Sequence, residues 1–156
     1  MRPVSTDIIY EKLKLRFNND VREIIIQHRR RIVIHIRKEA LLEICSYILN
    51  ELSYRFIIAT GMVSENGFEI IYHFSDDKNG CMINLLLELE ESNPEIESLS
   101  NLVNAACWIE REIHELYGIK FKSHPDLTKL ISDGIWKDNE YPYARKKDHN
   151  ENRIRT

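Results

Sequence analysis

Hydrophobic positions in this chain alternate between a helical rhythm and an extended one, and each change of rhythm marks an element. Ile8, Ile9, Leu13 and Phe17 recur at roughly helical spacing behind Ser5-Thr6-Asp7, which offer N-caps. This predicts a first short helix ending near Asn18-Asn19. REIIIQ and IVIHI follow, rich in β-branched residues, and read as two strands separated by Arg29-Arg30-Arg31. From Lys38 the helical period returns, with Leu41, Ile44, Cys45, Ile48 and Leu52 on one face. After Ser53 the runs YRFIIATGMVSE and FEIIYHFS flank Asn66-Gly67, a hairpin turn in which both residues tolerate positive φ. A second turn, Asp76 to Gly80, leads into CMINLLLELE, so three consecutive strands form an antiparallel meander.

Glu91-Ser92-Asn93-Pro94 breaks the pattern, and a helix is expected to begin within ESLSNLV. Its apolar seam runs through Leu102, Ala106, Ile109, Ile113 and Leu116, and Gly118 is placed to end it in a left-handed conformation. About this seam Arg111 falls opposite the centre, with Glu110 and Glu112 on the two flanks. IKF reads as a short extended piece, and Pro125 as the first turn of another short helix with Asp126 near its positive end. Past Trp136 the chain is polar. The expected fold is α+β: an antiparallel or mixed sheet of about five strands with helices on one face, in the order α-β-β-α-β-β-β-α. Residues 1–135 form one domain, and residues 136–156 form an extended polar tail that needs a partner to order it.

The 156 residues suit a single domain, and 43% hydrophobic with 30% charged residues is ordinary for a globular protein. A net charge of −3 gives no electrostatic case for nucleic acid. The longest nearly uncharged apolar run, Cys81 to Leu87, is far too short to span a bilayer, and the N-terminus has no apolar run of signal-peptide type. Cys45, Cys81 and Cys107 are widely separated without a CxxC, which argues against a disulfide framework or a cysteine-held metal and suits a reducing cytosol.

Candidate chemistry concentrates in WIEREIHELYGIKFKSHPDL, Trp108 to Leu127. Carboxylates that straddle an apolar seam do not face a common space, as acid–base pairs must. Glu110 and His114 lie four apart and His124 could join them across the loop, a minimal ligand set for a small metal-dependent enzyme. It lacks the second histidine of HExxH. Cys107 has no helix N-terminus to lower its pKa, and no glycine-rich phosphate cradle occurs. The remaining reading is an interaction surface: a flanked seam, a loop histidine held extended by the next proline, and aromatic anchors Trp136, Tyr141 and Tyr143. The Arg29-Arg30-Arg31 cluster reads as a solvated turn or, more sharply, as a docking patch for an acidic partner.

The same stretch resembles the 30 kDa subunit family of respiratory complex I, the C subunit of NADH dehydrogenase. That family also occurs in membrane-bound energy-converting nickel–iron hydrogenases and in F420H2 dehydrogenases. Glu110, Arg111, Glu112, Glu115, Gly118, Ile119, Phe121, His124, Pro125 and Leu127 carry the motif. The likeness covers about residues 54–148, with FEIIYHF upstream. Ser123 stands where the family usually has glycine before His-Pro, and His114, Thr128-Lys129 and YPYARKKDH also depart from its pattern. Together with the short length, this tilts the resemblance toward the hydrogenase branch or another complex I relative. The resemblance implies a non-catalytic subunit of a peripheral arm on the cytoplasmic side of the cell membrane, with no cofactor of its own. It would pack against a large catalytic subunit, near small iron–sulfur subunits that hold the clusters, and would meet membrane subunits indirectly. In the hydrogenase branch that large subunit would hold a nickel–iron centre. The implied partner interface comprises Trp108, Glu110, Arg111, Glu112, Gly118, His124, Pro125, Trp136, Tyr141 and Tyr143.

Overall fold

In the computed structural model, residues 5–132 and 135–144 are described. A helix α1 (Ser5–Phe17) precedes strands β1 (Val21–His28) and β2 (Arg31–Ile36). Arg31 already belongs to β2, where it faces His28, so only Arg29 and Arg30 form the turn. Helix α2 (Leu41–Ser46) is entered by a 3-10 turn (Lys38–Ala40) and left by a π turn (Tyr47–Glu51). The meander β3 (Arg55–Ser64), β4 (Gly67–Asp76) and β5 (Cys81–Glu90) forms as the two turn signals require.

The sheet order is β1-β2-β5-β4-β3, and β2 pairs with β5 in parallel while every other pairing in it is antiparallel. The sheet is therefore mixed. The α2 segment carries the chain from β2 to the far edge, which leaves room for β5 to return beside β2. Alternation along the strands then does the sorting. Ile32, Ile34 and Ile36, Phe68, Ile70, Tyr72 and Phe74, and Ile83, Leu85, Leu87 and Leu89 bury on one face. Leu13 and Phe17 of α1 and Leu41, Ile44, Cys45 and Ile48 of the α2 segment join them in one core.

The chain after β5 departs from expectation. Glu95–Glu97 is a short strand β6, paired in parallel with β7 (Lys120–Lys122), and the helix α3 starts only at Ala106 and runs to Tyr117. Leu102, expected on the seam, is 41% exposed. The inward stripe is Ala106, Glu110 and Ile113, so the helix is rotated such that Glu110 replaces Ile109 at its centre. No helix forms at Pro125, because Asp126 folds back to accept the Thr128 N–H at 2.9 Å and makes a turn instead. Among the described residues, no helix is long and apolar enough to cross a membrane.

Gly61, in the middle of β3, explains how closely α3 approaches the sheet. A Cβ there would lie 3.1 Å from Ile113 Cγ2 and 3.2 Å from Tyr117 Cε2. Gly61→Leu is expected to lever α3 off the sheet and cost about 2–3 kcal/mol in urea unfolding. An unchanged midpoint would mean that α3 docks without this contact.

Candidate functional site

Residues 95–132 and 135–144 form the candidate site around α3, and its charged side chains turn out to be spent mainly on their own backbone. Glu110 is fully buried. Its Oε1 accepts the Leu99 N–H at 2.8 Å and the Tyr72 hydroxyl at 3.4 Å, and Ser98 Oγ donates to Oε2 at 2.5 Å. One carboxylate thus ties α3 to the loop after β6 and to the centre of β4. Burial pushes its pKa up to about 7, against the opposing pull of these three hydrogen bonds.

Five residues further on, Glu115 is also buried and faces the segment after β7. Its Oε2 accepts the N–H groups of Leu130 at 2.6 Å and Ile131 at 2.9 Å, and its Oε1 that of Ser132 at 2.7 Å, with the Ser132 hydroxyl as a further donor. Burial raises the pKa, but the four donors outweigh it and bring it to about 2. Arg111, one turn earlier on the same helix, holds the same segment by other groups. Its guanidinium donates to Thr128 Oγ1 at 2.8 Å and to the carbonyls of Lys129, at 2.9 Å, and Thr128, and it lies 3.5 Å from Asp126. Glu115 and Arg111 are four apart on one helix and clamp one loop, an arrangement invisible until that loop is placed.

The ligand set weighed from the sequence does not assemble. Glu110 points into the core. His114 Nδ1 donates to the Ile119 carbonyl at 2.9 Å. His124 is held at both nitrogens: Nε2 donates to the Cys107 carbonyl at 2.9 Å, and Nδ1 accepts the Asp126 N–H at 3.1 Å. A carbonyl can only accept, so these bonds place a proton on His114 Nδ1 and on His124 Nε2. Among the described residues, no three His, Cys, Asp or Glu side chains gather to hold a metal.

Of the expected interface residues, Glu110 is corrected to an interior anchor, and Arg111 lies mostly beneath the loop it clamps. Trp108 is 66% exposed. It lines a shallow cleft of about 330 Å³ with Ile57, Ile58, Ile109, Glu112 and Leu130. Ile57 and Ile58 face outward because the β3–β4 register shifts there. Pro125 and Trp136 are exposed, and the Trp136 carbonyl is held by Lys129 Nζ. Tyr141 and Tyr143 fold back on their own domain. Tyr143 packs edge-on to Tyr117 and its N–H donates to the Leu116 carbonyl at 2.9 Å. Tyr141 lies against Gly118, where a Cβ would come within 2.7 Å of its ring. The remainder of the expected tail, residues 145–156, lies outside the described residues.

Residues 34–153 match the family described as respiratory-chain NADH dehydrogenase, 30 kDa subunit. The chain belongs to that family. It is 31% identical to the C subunit of the NADH-quinone oxidoreductase of Citrifermentans bemidjiense, over 80% of each chain. It is 32% identical to the C subunit of the F(420)H(2) dehydrogenase of Methanosarcina mazei, over 79% of this chain and 80% of that one. Two solved structures share the fold. Nqo5, as a trypsin-resistant fragment, superposes with a TM-score of 0.67 at 18% identity, over 78% of this chain and 98% of the fragment. A chain of an archaeal membrane-bound sulfane sulfur reductase gives 0.70 at 17%, over 87% and 79%. Short length is thus no mark of the hydrogenase branch, since the Citrifermentans protein is matched over 80% of its length.

The glycine that the resemblance led one to expect at Ser123 acquires a physical meaning. Ser123 has φ +61°, a left-handed conformation that glycine adopts without strain. Ser123→Gly should leave stability unchanged or raise it slightly, whereas Ser123→Val should cost about 1–2 kcal/mol. Equal stability of the two variants would refute the strain argument.

The two buried carboxylates set opposite pH dependences. Glu110 binds its proton more tightly folded than unfolded, so its contribution is greatest below pH 4.5 and falls as pH rises toward 7. Glu115 binds its proton less tightly folded, so its contribution is complete above 4.5 and is lost as pH falls toward 2. The melting temperature should therefore peak near pH 4.5. Glu110→Gln should flatten the decline above the peak and Glu115→Gln the decline below it. A parallel shift of the whole curve in either variant would contradict the assignment.

Proposed function

We propose that this chain is the C-type subunit in the cytoplasm-facing peripheral arm of a membrane-bound, electron-transferring oxidoreductase. The complex is of the complex I-like NADH or F420H2 dehydrogenase kind or an energy-converting hydrogenase. The chain performs no redox step itself. It packs against the large catalytic subunit, while clusters and any nickel–iron centre reside in its neighbours.

The observation that supports this reading is a division of labour along α3 and the loop it holds. Apart from Glu112 at the cleft, the charged residues of the motif are turned inward or onto backbone, where they fix the loop. Apolar side chains are left outside: Trp108, Ile57 and Ile58 around the cleft, and Ile131 and Ile135 at 61% and 71% exposure on the following segment. An apolar surface with an aromatic anchor on a rigidly clamped support suits a permanent protein interface.

The test separates anchor from clamp. In tagged protein from native membranes, Trp108→Asp combined with Ile58→Asp should reduce co-purification of the large subunit several-fold while the isolated chain melts normally. Arg111→Ala should instead lower the melting temperature of the isolated chain, because it frees the loop at Thr128-Lys129. Full recovery of the complex with the double variant would rule out this surface as the docking site.

A further inference from the structure

The α3 surface leaves the basic turn between β1 and β2 unused. His28, Arg29, Arg30 and Arg31 are consecutive and exposed, at the sheet edge opposite β3. With Gln27, Gly80 and Met82, three of them line a recess of about 510 Å³. Turn geometry does not call for this composition: two-residue hairpin loops favour Asn-Gly or Gly-rich pairs, and adjacent arginines repel. Nor do neighbouring acids use it. Among the described residues, no carboxylate forms an ion pair with Arg29, Arg30 or Arg31. Among the described residues, the Arg31 guanidinium meets the Met82 sulfur, a weak acceptor 3.8 Å from its Nη2.

The acids of the adjoining β4–β5 turn are already engaged. Asp77 is paired with Arg55 at 2.8 Å, and Asp76 accepts from the Lys78 N–H at 2.9 Å and from Asn79 Nδ2 at 2.6 Å. Arg30 lies across this turn, 3.6 Å from where a Gly80 Cβ would stand. Helix α1 also begins here, with Thr6 Oγ1 3.5 Å from the Arg29 carbonyl, so its positive end adds to the field, partly offset by Asp7.

We infer that this turn is a second docking site, for an acidic segment of a partner protein whose carboxylates take the arginine forks. Guanidinium groups bind carboxylates bidentately, and exposed forks with no carboxylate partner among the described residues are available for this. Charge complementarity favours a short acidic protein segment over a continuous polyanion. The cationic surface is one turn wide, Asp76 and Asp77 flank it, and the chain as a whole carries 25 acidic against 22 basic residues. A nucleic-acid backbone or an anionic membrane would bring its charges against those acids as well. The site stands independently of the family assignment and of the α3 surface.

The test uses the full chain and a fluorescein-labelled oligoglutamate peptide, followed by anisotropy. Binding should weaken steeply between about 50 mM and about 300 mM salt. Arg29→Glu with Arg30→Glu should weaken it about tenfold or more, and Arg29→Gln with Arg30→Gln by a smaller step. The charge-matched control Arg37→Glu with Lys120→Glu should bind nearly as the native chain does. Unaltered melting of the glutamine pair keeps the result interpretable should the glutamate pair fold poorly. The proposal is overturned if the native chain does not bind the peptide or if the control loses as much. Tighter binding to phosphatidylglycerol vesicles or to duplex DNA than to the peptide would also overturn it.

Discussion

The buried Glu110 carboxylate is the constraint from which the geometry of the last third of the chain follows. A carboxylate in an apolar core is costly unless its oxygens are satisfied. Here satisfaction requires Leu99, Ser98 and Tyr72 to meet at one point. That requirement fixes the rotation of α3 about its axis and draws the loop after β6 beneath it. It also explains why the inward stripe of the helix differs from its most hydrophobic stripe.

Once α3 is set in that rotation, the rest of the site is positioned by short links. Glu115 and Arg111 point to the same side and clamp residues 128–132, the former through backbone N–H groups and the latter through carbonyls. His124 bridges the β7 loop to the helix at the Cys107 carbonyl. Gly61 lets the helix sit close to β3, and Gly118 lets Tyr141 lie over its end. The family motif is therefore largely a set of intrachain fasteners. What a partner can touch is the apolar material that those fasteners hold in place, together with Glu112 at the cleft.

The extended and helical rhythms were legible because they depend on local sterics and on burial of one face. The α1 helix, the α2 face, both tight turns and the meander follow directly from the spacing of Ile, Leu, Val and Phe. The parallel β2–β5 pairing did not, since nothing local distinguishes a strand with one antiparallel neighbour from one with neighbours of both kinds. β6 and β7 were too short to register as a pair: three residues each, stable only because Ile96 and Phe121 bury together in the same core.

The candidate site divides along the same line. By itself, the sequence determined that the chain is an α+β domain of the 30 kDa subunit family, and that its unusual residues cluster from Trp108 to Leu127. Local pattern suffices for the fold class and the cluster, and likeness to related sequences for the family. Only the tertiary structure decided what each charge does. A seam counted by hydrophobicity put Glu110 on a flank, whereas the real inward stripe is chosen by donors on a loop and a strand far away in sequence. The same holds for the outward turn of Ile57 and Ile58, which a register shift sets, and for the arginines at the β1–β2 turn, which no carboxylate among the described residues pairs. A side chain's partners are a property of what folding brings beside it, and no window of sequence contains them.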